Sequence, residues 1–157
     1  MVLRPLKKSD YELVKRIYKQ GIDTQLATFE TKVQEWEYWN NKNLPFCRFV
    51  AELDNEIMGW AALSSVSKRE VYRGVAEVSI YVGKDYRGIG LGKKMMEHLI
   101  EASKKEGIWT LQSNIFPENE ASLKLHLQNG FRIVGVRERI GQLNGIWKDN
   151  ILLELRF

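Results

Sequence analysis

Apolar residues recur along this chain with two different periods, and the switches between them mark its elements. Residues 2–4 alternate as a short strand. Behind them Leu13, Val14, Ile17 and Tyr18 fall on one stripe of a 3.6-residue helix. Ser9-Asp10-Tyr11-Glu12 ahead of that stripe has capping-box spacing, with Ser9 poised to cap and Glu12 to bond back. Residues 33–42 predict a second helix, whose Trp36 and Trp39 either cover a cleft or fill a core. Period two then takes over. Residues 46–53 and 57–66 read as strands flanking Asp54-Asn55-Glu56, a hairpin turn by composition, and 75–82 reads as a β-branched third strand. After Arg87-Gly88-Ile89-Gly90-Leu91-Gly92 the helical period returns, with Leu91, Met95, Leu99 and Ala102 on one face and Gly107 as left-handed cap. Residues 109–115 predict a strand, 119–129 a helix closed by Gly130, and 131–136 and 146–155 two last strands.

This order predicts an α+β (mixed α/β) fold: a mainly antiparallel sheet flanked by helices, within one domain spanning residues 1–157. The strand–glycine loop–helix–strand passage at its centre is a crossover unit, so two middle strands are expected to run parallel.

Composition narrows the setting. No apolar run approaches the roughly 20 residues that span a bilayer, and the start lacks a signal-peptide pattern. The single cysteine permits no internal disulfide and fits a reducing compartment, so a cytoplasmic location is expected. The net charge of +4 suits a pocket for a polyanion or an ordinary solvated face. Dense Lys/Arg blocks interleaved with aromatics are missing, so neither nucleic acid nor membrane is an expected partner. Two histidines and one cysteine give poor support to a metal site, and Cys47, between Phe46 and Arg48, reads as a core thiol.

The glycine loop carries the chemistry. Glycines let a backbone approach a ligand closely, and the helix start leaves N–H groups unpaired with the positive end of a dipole behind them. That combination is a pyrophosphate cradle. A Walker loop is excluded because Gly92 is followed by Lys93-Lys94, and the glycine spacing is wrong for a dinucleotide fold. A coenzyme A pyrophosphate matches. The bland alternative is a tight turn without ligand, against which three glycines in five residues argue through their unfolded-state entropy.

Arg87-x-x-Gly90-x-Gly92 resembles the Gln/Arg-x-x-Gly-x-Gly/Ala signature of GNAT N-acetyltransferases. Ala27-Thr28-Phe29-Glu30 and Glu77-x-Ser79-Ile80-Tyr81-Val82 narrow the likeness to the phosphinothricin acetyltransferase-like branch. Asn119-x-x-Ser122-x-x-Leu125-His126 with Gly130-Phe131, then Gly145-x-Trp147-x-Asp149, continue the pattern over effectively the whole chain. The resemblance implies a GNAT fold with a splayed sheet and acetyl-CoA as acyl donor. It implies that the backbone of Ile80, Tyr81 and Val82 pairs with pantetheine, and that Arg87, Gly88, Ile89, Gly90, Leu91 and Gly92 hold the pyrophosphate. Asn119 and Ser122 would touch the cofactor, although an ordinary helix N-cap suits Asn119 equally well.

Glu77 lies within an apolar strand, on one face with Ser79 and Tyr81 by alternation. It reads either as a general base or as the ion-pair partner of Arg69 or Arg73, and the resemblance favours the base. Where the superfamily usually has a thiolate-protonating tyrosine this chain has His126, either a proton donor or relay or a packed imidazole. His98 falls on the polar side of its helix. For the acceptor the resemblance implies a site walled by Phe29 and Glu30, with Arg69, Tyr72 and Arg73 gripping a substrate carboxylate. The expected reaction is direct acetyl transfer to a small amino-acid-like amine such as phosphinothricin or methionine sulfone or sulfoximine. The alternatives are a protein or peptide acetyltransferase and a non-catalytic coenzyme A-binding module. Branch members are often homodimers, and Trp147 with the last two strands offers apolar surface for that contact.

Overall fold

A computed structural model describes every residue from Met1 to Phe157. Seven strands, β1 (Val2–Pro5), β2 (Phe49–Leu53), β3 (Glu56–Ser65), β4 (Val75–Val82), β5 (Thr110–Ile115), β6 (Arg132–Leu143) and β7 (Ile146–Arg156), form one sheet. Its order is β1-β2-β3-β4-β5-β7-β6. Every neighbouring pair is antiparallel except β4 and β5, the parallel pair that the crossover requires. Four helices flank it: α1 (Tyr11–Asp23), α2 (Trp36–Lys42), α3 (Leu91–Lys105) and α4 (Glu120–Gln128).

Two cores sit on opposite faces of the sheet. Leu91, Met95, Met96 and Leu99 of α3 pack on Ala61, Leu63, Val78, Leu111 and Leu153. Tyr11, Val14 and Ile17 of α1 and Trp39 of α2 pack on Val50, Trp60 and Ala62. Alternation therefore divides β4: Val78, Ile80 and Val82 face the α3 side, while Glu77, Ser79 and Tyr81 face α1 and α2. The Asp54-Asn55 turn has both residues at positive φ (50° and 66°), the twist that matches a two-residue hairpin.

Four sequence expectations need correction. Ser9 does not cap α1. A 3-10 turn, Lys8–Asp10, precedes the helix, and Asp10 organises it by accepting the Lys7 N–H at 2.7 Å and a bidentate Arg4 at 2.8 and 2.9 Å. The second helix begins only at Trp36. β2 starts at Phe49 rather than 46, because Cys47 sits at φ +55° and breaks the extended run. β6 continues to Leu143 through two register shifts before the positive-φ pair Asn144-Gly145. Its bulges and its solvent-facing Arg137, Glu138 and Arg139 interrupt the period-two signal that would have extended it.

Asp10 gives the fold an acid-sensitive point. Arg4, then the Lys7 N–H, hold its carboxyl below the ordinary range against the opposing effect of burial. A depressed folded pKa contributes stability present above the unfolded value of roughly 3.9, lost as pH falls through the folded value. Asp10→Asn is expected to flatten the acid limb of the stability curve, measured by denaturant unfolding between neutral pH and pH 3.

Candidate active site

β4 and β5 pair only through Val75↔Thr110, Ala76↔Leu111 and Glu77↔Gln112, then part while each runs on, to Val82 and Ile115. On its other side β4 stays paired with β3 along its whole length. The Gly83 N–H donates to Met58 O at 2.8 Å, which sets the phase of that ladder. Ser79 and Tyr81 therefore bond to β3, the Val78 N–H makes the last rung to β5 at Gln112, and the main-chain groups of Ile80 and Val82 turn into the gap. Of the three residues expected to offer backbone to pantetheine, Ile80 and Val82 have main-chain groups on the open edge. Tyr81 does not; its backbone is spent on Trp60, and its ring stacks 4.8 Å from both Tyr18 and Trp60. Burial pushes its phenol far above the usual range. The Arg87 Nε donates to Val82 O at 3.3 Å, so the arginine occupies one carbonyl of the open edge.

The loop beyond β4 supplies the cradle. Gly88 and Gly90 stand at φ +77° and +83°, and the helix of α3 begins at Leu91, whose side chain is buried. The backbone N–H groups from Arg87 through Lys93 donate to nothing within the chain; the first helical bond is Lys94 N–H to Gly90 O at 3.3 Å. Unpaired donors of this loop and of the first turn of a 15-residue helix, at its positive end, fit a diphosphate. The open edge at Ile80 and Val82 leads toward them, so the residues present fit the amide arm and pyrophosphate of acetyl-CoA. The glycines divide by role. Gly88 and Gly90 answer a backbone need, whereas Gly92 is helical and an added Cβ would lie 3.5 Å from Leu125, an ordinary contact.

Glu77 stands half-buried where the strands part. Asn114 on β5 donates from Nδ2 to Glu77 Oε1 at 3.1 Å, and Asn114 Oδ1 is buried without a partner. The ion pair that would have made Glu77 a sheet-holding residue is not formed. Arg73 pairs with Glu70 at 3.6 Å and lies 5.3 Å over Trp109, while Arg69 lies 5.4 Å over Tyr72. Arg69, Tyr72 and Arg73 are exposed and are not gathered around Glu77. Sequence reasoning missed Asn114. Alternation gives its face, but only the register Glu77↔Gln112 shows that it reaches the carboxylate.

His126 is buried edge-on to Phe131, with Nδ1 2.7 Å from Ser122 O. A carbonyl only accepts, so Nδ1 carries the proton and the neutral ring keeps a lone pair at Nε2, which has no partner. Burial lowers its pKa. This is the packed, hydrogen-bonded form of the two readings. Asn119 is likewise the N-cap of α4: its Oδ1 accepts the Ser122 N–H at 3.3 Å and its Nδ2 donates to Leu26 O at 3.1 Å. That second bond ties α4 to the segment carrying Phe29 and Glu30.

Phe29 meets Phe116 edge-on at 4.8 Å and presses on Gly141, where a Cβ would lie 3.1 Å from its ring. Glu30 faces Lys42 at 3.9 Å and lines a narrow cleft with Tyr18, Trp39, Trp60 and Ser79. Trp39 thus fills the core and walls a cleft at once. His98 is exposed, edge-on to Phe49 at 4.6 Å, and Cys47 is half-buried with burial pushing its thiol up, against a nucleophilic role.

The glycine roles are separable. Gly92→Ala is expected to stabilise the protein by about 0.5–1 kcal/mol and leave acetyl-CoA affinity near wild type. Gly90→Ala is expected to lose about 1 kcal/mol or more and weaken binding, since an L side chain resists its φ. Thermal unfolding with calorimetric titration reads both.

Comparison with known proteins agrees with this geometry. The Acetyltransferase (GNAT) family matches residues 12–131. An L-methionine sulfoximine/L-methionine sulfone acetyltransferase of Pseudomonas aeruginosa is 36% identical over 100 residues, 64% of this chain and 58% of that protein. The chain thus spans less than two thirds of that relative. A phosphinothricin N-acetyltransferase of Alcaligenes faecalis is 30% identical over 161 residues, 97% of this chain and 80% of that one. Among solved structures, a ribosomal-protein-alanine N-acetyltransferase from Brucella melitensis matches with TM-score 0.93 at 26% identity, covering 100% of both chains. With the splay, the cradle and the family match in agreement, the chain belongs to the GNAT acetyltransferase family.

Proposed function

We propose that this chain transfers acetyl from acetyl-CoA to the primary amine of a small amino-acid-like acceptor, directly within a ternary complex. The observation that carries the reading is the half-buried Glu77, unpaired with any cation and oriented by Asn114, at the point where the strand edge opens. Acetyl-CoA supplies an activated thioester carbonyl. An ammonium cannot attack it, so a proton must first leave, and Glu77 accepts it directly or through a water. The main-chain N–H of Ile80, on the open β4 edge, stabilises charge developing on the carbonyl oxygen. His126, bonded through Nδ1 to Ser122, offers only a lone pair at Nε2. The leaving thiolate is therefore assigned a proton from water or from protonated Glu77.

The acceptor class follows from the relatives named for methionine sulfoximine, methionine sulfone and phosphinothricin. Phe29 and Glu30 wall the acceptor side. Arg69, Tyr72 and Arg73, exposed on the segment before β4, are assigned to drawing in and gripping a carboxylate, for which an arginine fork is suited. We assign the reaction to the cytoplasm; no helix is long and apolar enough to cross a membrane.

Ile133, Val136, Ile140, Ile146 and Trp147 on β6 and β7 are large apolar side chains left exposed at this end of the sheet. We assign these two strands to a homodimer contact. Light scattering after gel filtration is expected to give twice the chain mass, and Trp147→Asp to shift it toward the monomer; a wild-type monomer would contradict the assignment.

Glu77→Gln is expected to lower kcat by about 10²-fold or more while acetyl-CoA affinity stays unchanged. The assay is release of free coenzyme A with a panel of amino acids and their sulfone, sulfoximine and phosphinic analogues. Turnover on peptide N-termini alone would favour a protein acetyltransferase. Tight acetyl-CoA binding without turnover on any amine would favour a regulatory module.

A further inference from the structure

The loop that receives the diphosphate is held at its two ends and hardly at all between them. From Gly88 through Lys93 no backbone N–H donates within the chain, and Ile89, between the two positive-φ glycines, is exposed. Its far end is α3, anchored in the core through Leu91. Its near end is a short 3-10 turn, Lys84–Tyr86, so the placement of that turn sets where the loop begins. Three of the ties that hold the turn lie within β3 and the turn itself. Gly83 N–H donates to Met58 O at 2.8 Å, Tyr86 N–H to Gly83 O at 2.9 Å, and the Tyr86 hydroxyl to Glu56 Oε2 at 2.6 Å. Another comes from across the fold. Gln20, in the last turn of α1, accepts the Lys84 N–H through Oε1 at 2.9 Å, from 64 residues away in sequence.

That bond answers a local need. A helical turn cannot satisfy its own first N–H groups, and the usual remedy is the side chain of the residue before it. Here that residue is Gly83, which has none, and a Cβ there would lie 3.1 Å from the Tyr86 ring and 3.2 Å from Met58 O. The cap is therefore supplied by another element. α1 comes close enough because Gly21 follows Gln20: a Cβ at Gly21 would lie 2.6 Å from the Tyr81 ring. Glycine is unfavourable inside a helix, and this close approach to β4 accounts for it.

We propose that Gln20 is a positioning residue for acetyl-CoA, acting through the Lys84 amide to fix the turn from which the diphosphate loop starts. The inference rests on acetyl-CoA seating at residues 87–93 and is independent of which amine accepts the acetyl group. Its competitor is water. Lys84 is exposed, and a solvent oxygen could accept the same N–H once Gln20 is removed.

Gln20→Leu removes the accepting oxygen at nearly equal helix propensity, and Gln20→Met repeats the test with an unbranched side chain should leucine disturb the fold. Titration calorimetry is expected to show acetyl-CoA binding weakened about fivefold, the scale of one lost hydrogen bond. S-Acetylpantetheine carries the amide arm without the diphosphate. Followed by the Ile80 amide resonance, its affinity is expected to stay at the wild-type value. Amide hydrogen exchange in the free variant is expected to quicken at Lys84 and its turn and to stay unchanged at Ser79 and Tyr81.

Acetyl-CoA affinity within about twofold of wild type would overturn the proposal, whether or not Lys84 exchanges faster. Equal weakening of both thioesters, or faster exchange spreading along β4, would overturn it too, because the sheet as a whole would then have loosened. Should S-acetylpantetheine not saturate the wild-type protein, the exchange pattern decides between a local and a general effect. A wild-type protein that binds no acetyl-CoA would remove the cradle itself, and the role of Gln20 with it.

Discussion

The geometry of this protein turns on the parting of two parallel strands after three paired residues. A β-strand inside a sheet has partners on both sides; β4 has them on one side along its whole length and on the other only as far as Glu77. The main-chain groups of Ile80 and Val82 are left facing a gap in the middle of the molecule, where unmatched amides and carbonyls are costly. Such an opening persists because the surroundings hold it. α3 packs through Met95 and Leu99 on one face, and the ring stack of Tyr18, Tyr81 and Trp60 braces the other. An extended amide-bearing ligand restores the missing ladder on one edge, a principle shared with peptides that add a strand to a sheet.

Around the opening, each element is placed by ordinary packing and acquires a function by where it ends. β4 carries Glu77 to the fork, Asn114 of β5 orients it from across the fork, and the loop after β4 with the first turn of α3 leaves seven N–H groups free. Asn119 belongs to this arrangement in an unexpected way. Its capping bond starts α4, and its second bond holds Leu26, so α4 and the segment that runs on to Phe29 and Glu30 are tied through one side chain.

Much of this was legible in the sequence because it depends on local periodicity. The strand 75–82 is found at its predicted bounds, the change of period after Gly92 marks α3, and Gly107 and Gly130 close their helices at positive φ. The parallel centre followed from chain order alone. What escaped depends on contacts between distant residues. Asp10 displaced Ser9 at the first helix because Arg4, on a neighbouring strand, claims its carboxylate. Asn114 looked like any strand polar residue until register brought it to Glu77. Tyr81 was expected to lend its backbone, but the phase of the β3–β4 ladder is fixed by Gly83 and Met58, which no local pattern reveals. The tautomer of His126 likewise depends on one bond to Ser122, and so its chemistry could be narrowed only from the fold.

The central claim is that the open edge at Ile80 and Val82 and the free N–H groups from Arg87 to Lys93 together receive acetyl-CoA. Amide hydrogen exchange, resolved by residue with and without the thioester, tests it most directly. The account requires that saturating acetyl-CoA slow exchange at Ile80, Val82 and several amides between Gly88 and Lys93, with Tyr81, already bonded to β3, little changed. Acetyl-CoA binding that leaves all of those amides exchanging as in the free protein would contradict it.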